Sequence, residues 1–184
     1  MLLFGHTGIT LGAAAAISYA LRNNKKSWIT SVEEHLDVRL LMVGSLLPDI
    51  IDKPLGQVFL GETLSNGRIF GHTVLFLILI SAAGIYLRQR HDKIWLLTLA
   101  LGTFTHLILD RMWFTPQTLF WPFFGFAFDR LNLAGWVPNT LHRLLTDPGV
   151  FVPEIIGLIM IIWFGLVLMF RSKIYVFIRY GKVS

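Results

Sequence analysis

The chain has 184 residues, of which 54% are hydrophobic and 14% aromatic, and its mean hydropathy is +0.64. This apolar excess is larger than the core of a soluble domain of this size needs, so the composition excludes an ordinary soluble domain and predicts an all-α, polytopic helical bundle in a membrane. The net charge is +5 with the basic residues in short clusters between apolar runs, which indicates membrane topology and no nucleic-acid partner, and the absence of cysteine excludes disulfides and thiolate zinc sites.

Five apolar segments follow one another and form one predicted membrane-embedded domain, residues 1–184. They cover residues 7–21, 38–52 with an irregular continuation to about 60, 69–87, 94–112 and 151–170. The last three are about 18–20 residues long, which is enough to cross about 30 Å of hydrocarbon. The first two are short, so we expect them to cross only with their flanks or with cover from their neighbours.

Residues 113–150 separate the fourth segment from the fifth and are predicted to lie outside the cytoplasm at the membrane interface. Their first part is rich in aromatic residues and is broken by Pro116, Pro122 and Gly125. Aromatic rings are typical of the headgroup level of a bilayer. The segment is either a lid or entrance for a lipid substrate, or a simple anchor.

The distribution of basic residues predicts the orientation in the plasma (inner) membrane. With the N-terminus outside, eleven basic residues fall on the inner side and five on the outer side. The outer five are Lys53, Arg68, Arg111, Arg130 and Arg143. This bias predicts a chain with its N-terminus outside and its C-terminus inside.

Ionisable residues lie at a shared depth in this arrangement. At a rise of 1.5 Å per residue, each of the five segments brings a His, Asp or Glu to roughly 15–26 Å above the inner charged belt. Charged residues at such depth usually face a bundle interior or a wet cavity. His106 and Asp110 are four residues apart on one helical face, and Asp49 and Asp52 are three apart beside the helix breaker Pro48.

Imidazoles and carboxylates without thiols make a ligand set suited to zinc or another divalent transition metal, with one or two ions. The predicted ligands are His6, Asp49, Asp52, His72, His106, Asp110 and Glu154. Asp49 is the expected bridging ligand, Asp52 a ligand or general base, and His106 completes the catalytic set. Arg68 and Arg111 could hold a phosphate, with the active site toward the extracytoplasmic side.

Each of these residues has a plainer structural interpretation. A single buried histidine can be satisfied by one hydrogen bond, and Asp49 and Asp52 could cap a broken helix. Glu154 lies in the first turn of the last apolar segment, where the helix dipole favours a carboxylate. The two arginines could anchor lipid headgroups, and His142 in the outer region is a further, less favoured ligand.

The blocks GHTGITLGAA, GSLLPDIID, GRIFGHTVLF and GTFTHLILDRMWFTPQTLFWPF together resemble the YdjM-like family of inner-membrane, predicted metal-dependent hydrolases, which is described as LexA-binding. The resemblance spans most of residues 5–125. One departure stands in the third block, where the family often reads His-Arg-x-x-Thr-His-Ser and this chain has Gly67 in place of the first histidine. The resemblance therefore implies a metal site with one possible ligand fewer.

That family is in turn remotely similar to the zinc-dependent phospholipase C enzymes, which are all-helical. Their ligands occur in the order His, Asp, His, His-x-x-x-Asp, and then a later His and Glu. His6, Asp49, His72, His106 and Asp110 follow this order. Glu154 can fill the last position, but no histidine stands four residues before it, and His142 is twelve before it. The similarity implies phosphoester chemistry with one or two ions.

These observations predict a membrane-embedded metal-dependent hydrolase that cleaves a phosphoester of a lipid-like or amphiphilic substrate at the outer membrane face. The alternative is a non-catalytic protein, either a metal-binding scaffold or an ion or proton pathway. A transporter would be expected to show inverted repeats or polar residues at both depths, and the sequence shows neither.

Overall fold

The computed structural model describes residues 1–22, 36–61, 63–130 and 136–182, and these ranges contain helices and no strand. We number the α-helices in chain order: α1 (Leu3–Arg22), α2 (Val38–Gly44), α3 (Leu47–Lys53), α4 (Val74–His91), α5 (Trp95–Leu109), α6 (Pro116–Leu119), α7 (Trp136–Thr146), α8 (Pro148–Phe170) and α9 (Ile174–Tyr180). A π-helix, Pro54–Phe59, follows α3, and a 3-10 turn, Met112–Phe114, precedes α6. The predicted all-α class is confirmed for this part of the chain.

Helices α1 and α8 pack together at a crossing made by two glycines. A Cβ atom at Gly8 would lie 2.0 Å from the carbonyl oxygen of Gly157, and one at Gly157 would lie 2.0 Å from the carbonyl oxygen of Phe4. Only the absence of a side chain allows the two backbones to approach so closely. This crossing fixes the first turns of α1 against the first half of α8.

A second glycine crossing joins α2 to α5. A Cβ atom at Gly102 would lie 2.6 Å from the carbonyl carbon of Gly44 and 2.6 Å from the amide nitrogen of Ser45. Helix α4 also packs on α5, where Gly84 faces Leu97. Helix α5 is therefore the central element, and it carries His106 toward the end of α2.

The predicted segment 38–52 is two helices with a break at residues 45–46. Because a proline cannot donate a backbone hydrogen bond, Pro48 stands in the first turn of the new helix α3. The predicted irregular continuation to about residue 60 is the π-helix that starts at Pro54. The break leaves the carbonyl of Ser45 available to another element.

Only α8, among the helices in the described ranges, is long and apolar enough to cross a membrane on length and composition. Shorter apolar stretches are Leu3–Ile17 and Trp95–Leu109. The predicted segment 69–87 starts as a helix at Val74, because residues 69–73 form the turn that carries His72, and its last turn holds basic residues. The predicted count of five spans is therefore not confirmed.

Residues 113–150 contain more structure than the predicted interfacial loop. Pro116 starts the short helix α6, the Trp121–Pro122 peptide bond is cis, and α7 covers the C-terminal part. Four phenylalanines here are more than half exposed: Phe114, Phe123, Phe124 and Phe126. The aromatic residues of this region therefore point outward in large part.

Candidate metal centre

Five side chains from four parts of the fold meet at one place. His6 lies in the first turn of α1, Asp49 in α3, His72 in the turn before α4, His106 in the last turn of α5, and Asp110 caps the end of α5. Their potential ligand atoms form two groups, each within 4.8 Å: His6 with His106 and Asp110, and Asp49 with His72 and His106. We refer to these five residues as the His/Asp cluster.

Asp52 orients one histidine of the cluster from behind. Its carboxylate accepts hydrogen bonds from the amide nitrogens of Ile69 (2.7 Å), Gly71 (2.8 Å) and His72 (3.2 Å), and its Oδ2 lies 2.7 Å from His72 Nδ1. Both residues are fully buried. A carboxylate oxygen can only accept from Nδ1 of His72, so the Nε2 atom of the neutral ring presents a lone pair.

His106 is held in the same way by a backbone carbonyl. Its Nδ1 lies 2.7 Å from the carbonyl oxygen of Ser45, which can only accept a hydrogen bond. The Nε2 atom therefore also presents a lone pair, and it lies 3.1 Å from Nε2 of His72. When both rings are neutral, their Nε2 lone pairs face each other, which leaves a place for a cation between the two rings.

His6 is buried beside this pair without a hydrogen bond of its own. Its ring stacks on His106 with centroids 4.0 Å apart and planes 16° apart. Its Nε2 lies 3.1 Å from Oδ1 of Asp110, but neither ring nitrogen has a hydrogen-bond partner in the described structure. Nε2 of this fully buried ring has the Asp110 carboxylate beside it, but the unpaired Nδ1 is costly, because it loses its bond to water.

The two carboxylates of the cluster each lie between imidazoles and cations. Asp49 Oδ1 is 3.7 Å from His72 Nε2, while its Oδ2 is 2.7 Å from Lys53 Nζ. Asp110 Oδ2 is 3.9 Å from His72 Nε2 and 2.6 Å from Arg68 Nη2. Its Oδ1 faces His6 and, at 3.1 Å, the amino group of Met1.

Other predicted site residues lie elsewhere. Both carboxylate oxygens of Glu154 accept backbone hydrogen bonds at the start of α1, from Leu2 (2.6 Å) and Phe4 (3.0 Å). The expected place of Glu154 in the first turn of its own helix is wrong, because α8 begins at Pro148 and runs through Pro153. Glu154 belongs to neither ligand group. Arg111 is exposed, has a left-handed backbone (φ 53°), and makes no recorded ion pair in the described part of the chain. His142 is exposed on α7.

Sequence reasoning missed two parts of the site. The Ser45 carbonyl that orients His106 is a backbone group, and only the helix break before Pro48 could have pointed to it. The second is the ion pair between Lys53 and Asp49. Lys53 stands four residues after Asp49 on one helix, and this spacing predicts contact between the two side chains.

A comparison with family models identifies the family to which the chain belongs. The model described as YdjM inner membrane protein matches residues 1–181. No curated protein and no solved structure matches the chain. Because the family model covers nearly the full length, the chain belongs to the YdjM inner membrane protein family and is a protein of the inner membrane.

Proposed function

We propose that the His/Asp cluster binds a divalent transition metal, zinc in the first place, and that the protein is a membrane-embedded hydrolase acting on a phosphoester of an amphiphilic substrate. The observation that carries the proposal is the pair of Nε2 atoms of His72 and His106, 3.1 Å apart, whose Nδ1 atoms are both committed to acceptors. Facing lone pairs in a buried site repel each other unless a cation lies between them.

The distances suit such an ion. In a tetrahedral site with metal–ligand bonds of about 2.1 Å, neighbouring ligand atoms are about 3.4 Å apart. The Nε2–Nε2 separation is 3.1 Å and the Nε2–Oδ1 separation of His72 and Asp49 is 3.7 Å. Imidazole ligands held by a carboxylate or a carbonyl on the other nitrogen are the usual arrangement around zinc.

The number of ions is limited by His106. Its one available nitrogen can bind one ion, so it cannot serve both ligand groups at once. A first ion would take Asp49, His72 and His106, and a second would rest on His6 and Asp110. Asp110 is better placed than Asp49 to bridge them, because its Oδ1 faces His6 and its Oδ2 faces the other two histidines.

The same geometry gives the remaining carboxylates different roles. Asp52 has both oxygens occupied by donors, so we assign it to orienting His72 and not to moving protons. Asp49 is 15% exposed at the edge of the cluster, with Oδ1 toward His72 and Oδ2 on Lys53, so we assign it as a ligand of the first ion. A bound metal would supply Lewis-acid polarisation and a more acidic water at neutral pH.

The aromatic region next to the site supports a substrate with an apolar part. Phe70, two residues before His72, packs edge-to-face against Trp121 (5.2 Å) and Phe128 (5.3 Å). The outward-facing phenylalanines continue from this contact, with Phe123 83% and Phe126 81% exposed. A surface of this kind is typical of the membrane interface. We propose that the substrate reaches the cluster past these residues from the outer leaflet.

The orientation rests on the basic residues, and we propose several membrane passages with the N-terminus outside and the C-terminus inside. Helix α8 is the passage that its length and composition support directly. The shorter apolar helices α1 and α5 would lie in the membrane with cover from α8, α2 and α4.

The test is turnover by folded, monodisperse protein in mild detergent. Zinc-loaded protein should cleave at least one member of a panel of phospholipids and isoprenoid phosphates, and chelation should abolish the reaction. Asp49→Asn should abolish it as well, while the matched exposed change Asp92→Asn should not. If metal-loaded protein cleaves none of the panel, a metal-binding scaffold or ion pathway becomes the better proposal.

A further inference from the structure

Two cationic side chains stand on the open side of the His/Asp cluster. Lys53 Nζ contacts Asp49 and Arg68 Nη2 contacts Asp110, at 2.7 and 2.6 Å. The side chains of Lys53 and Arg68 are 35% and 43% exposed, whereas those of Asp49 and Asp110 are 15% and 3% exposed. The cations therefore cover the cluster from outside, between the buried ligands and the surroundings.

The loop that carries Arg68 packs on the stem of Lys53. A Cβ atom at Gly67 would lie 3.5 Å from Cγ of Lys53 and 2.4 Å from Nε2 of Gln57. The missing side chain at this position lets the loop approach the end of α3. Lys53 and Arg68 thus form one mouth of the cluster, which we call the cationic mouth.

Both cationic side chains have N–H donors that their ion pairs with Asp49 and Asp110 do not use. A guanidinium has five N–H groups and an ammonium three. Among the described residues, the only carboxylate within ion-pair distance of Arg68 is Asp110, and the only one for Lys53 is Asp49. Each side chain can therefore hold its carboxylate and still donate to a second oxyanion.

The charge of the site depends on the metal. Lys53, Arg68 and the amino group of Met1 balance the charges of Asp49, Asp52 and Asp110. A divalent ion gives the site an excess of two positive charges. Because the site is largely buried, this added charge should strongly increase its attraction for an anion.

We propose that the cationic mouth binds a terminal phosphate, with Lys53 and Arg68 each donating to its oxygens beside the metal. This rests on the proposed function and names its substrate class as a phosphate monoester, because two cations and a divalent ion match a dianion better than the single charge of a diester. The sequence predicted Arg111 as the second phosphate-binding cation beside Arg68, and we assign that role to Lys53 instead.

Phosphate binding to folded protein, measured by isothermal titration in detergent, tests the proposal. The probes are inorganic phosphate and dihexanoyl phosphatidic acid, each with zinc-loaded and with chelated protein. Zinc-loaded protein should bind both at least tenfold more tightly than chelated protein. Lys53→Gln and Arg68→Gln should each weaken binding about tenfold, since each removes one charge-assisted contact.

Two control variants make the result decisive. Arg90→Gln removes an equal charge from the exposed end of α4 and should leave binding unchanged, and Lys53→Arg should retain most of the affinity.

Much tighter binding of phosphatidic acid than of phosphate supports a lipid headgroup as the source, and equal affinity supports a free phosphate. If Arg68→Gln fails to fold, the phosphate affinities of Lys53→Gln and of the chelated parent test the proposal.

Metal analysis of the same samples separates the two proposals. A parent protein that retains no metal overturns the proposed function. A parent that retains metal but binds phosphate no better than its chelated form overturns the cationic mouth alone. The same conclusion follows if metal-retaining Lys53→Gln and Arg68→Gln bind phosphate as tightly as the parent.

Discussion

The proton on Nδ1 decides what each histidine of the cluster can do with its other nitrogen. Asp52 fixes that proton on His72, and the carbonyl of Ser45 fixes it on His106. Neither acceptor belongs to the ligand groups themselves, yet both determine that two lone pairs converge. Asp52 is thus a positioning residue for His72.

Asp52→Asn should weaken metal binding without removing a ligand. The new amide would place an NH2 group where the carboxylate oxygens now accept from three backbone amides and one imidazole, so the ring of His72 would lose its orientation. We expect zinc affinity to fall about 10–100-fold, the usual effect of losing such a partner. A competition titration against a zinc chelator measures this, with Asp92→Asn as the control.

Retention of the parent's affinity by folded Asp52→Asn would contradict the positioning role. A folded variant that loses all zinc would instead favour the direct ligation that the sequence alone suggested for Asp52.

The side chains of the cluster could be foreseen from the sequence better than their partners could. Depth along helices of fixed rise predicted that His6, Asp49, His72, His106 and Asp110 would meet, and the structure brings them together. The carbonyl of Ser45 could not be foreseen, because any residue type supplies a carbonyl. The contact of Glu154 with the first amides of α1 could not be foreseen either, because the sequence does not show which helix packs against α8.

At the level of elements, glycine contacts set the positions of the helices that carry the ligands. Gly157 in α8 meets the backbone of α1 at Phe4 and Gly5, directly before His6, whereas Gly165 on the same helix has no atom within 4 Å of its Cβ position. The two glycines therefore form a matched pair for substitution.

Gly157→Ala should destabilise the protein, because its methyl group would lie 2.0 Å from the carbonyl oxygen of Phe4 and force α1 away from α8. Overpacking of this kind costs about 1–3 kcal/mol, which should lower the melting temperature in detergent by several degrees. Zinc affinity should fall in parallel, since α1 carries His6. Gly165→Ala should keep or slightly raise the melting temperature, because alanine favours the helix. Equal melting temperatures for the two variants would show that the crossing does not hold α1 in place.

Apolar segments predicted most helices but not their ends. Hydropathy placed α5 and α8 within a few residues of their bounds, because each is one uninterrupted apolar run. It failed between residues 45 and 73, where prolines and glycines divide the chain and the turn with His72 interrupts an apolar run. Helix α7 was not foreseen, since its residues are mixed in polarity and its Leu141 and Leu145 are exposed.

At the scale of the whole molecule, the basic residues predict which ends of the helices share a side of the membrane. Arg90 at the end of α4 should face the cytoplasm, and Arg143 on α7 should face outward. Because the chain has no cysteine, Arg90→Cys and Arg143→Cys each introduce one reporter. In intact cells or right-side-out vesicles, an impermeant thiol reagent should label the second site only.

Labelling of both cysteines from the same side would contradict the proposed topology, and with it the proposal that substrate arrives from the outer leaflet. Permeabilised membranes, in which both cysteines should react, provide the control for accessibility. The metal site itself would be unaffected by that result, because its geometry does not depend on the orientation of the bundle.

The central claim is that the His/Asp cluster holds a divalent transition metal, and elemental analysis of purified, monodisperse protein tests it most directly. The samples are the parent, His106→Gln in the cluster, and His91→Gln at the exposed end of α4. The account predicts at least one zinc-like ion per chain in the parent and in His91→Gln, and a large loss of metal in His106→Gln. Equal metal contents in the two variants, or a parent that takes up no divalent transition metal when it is offered, would contradict it.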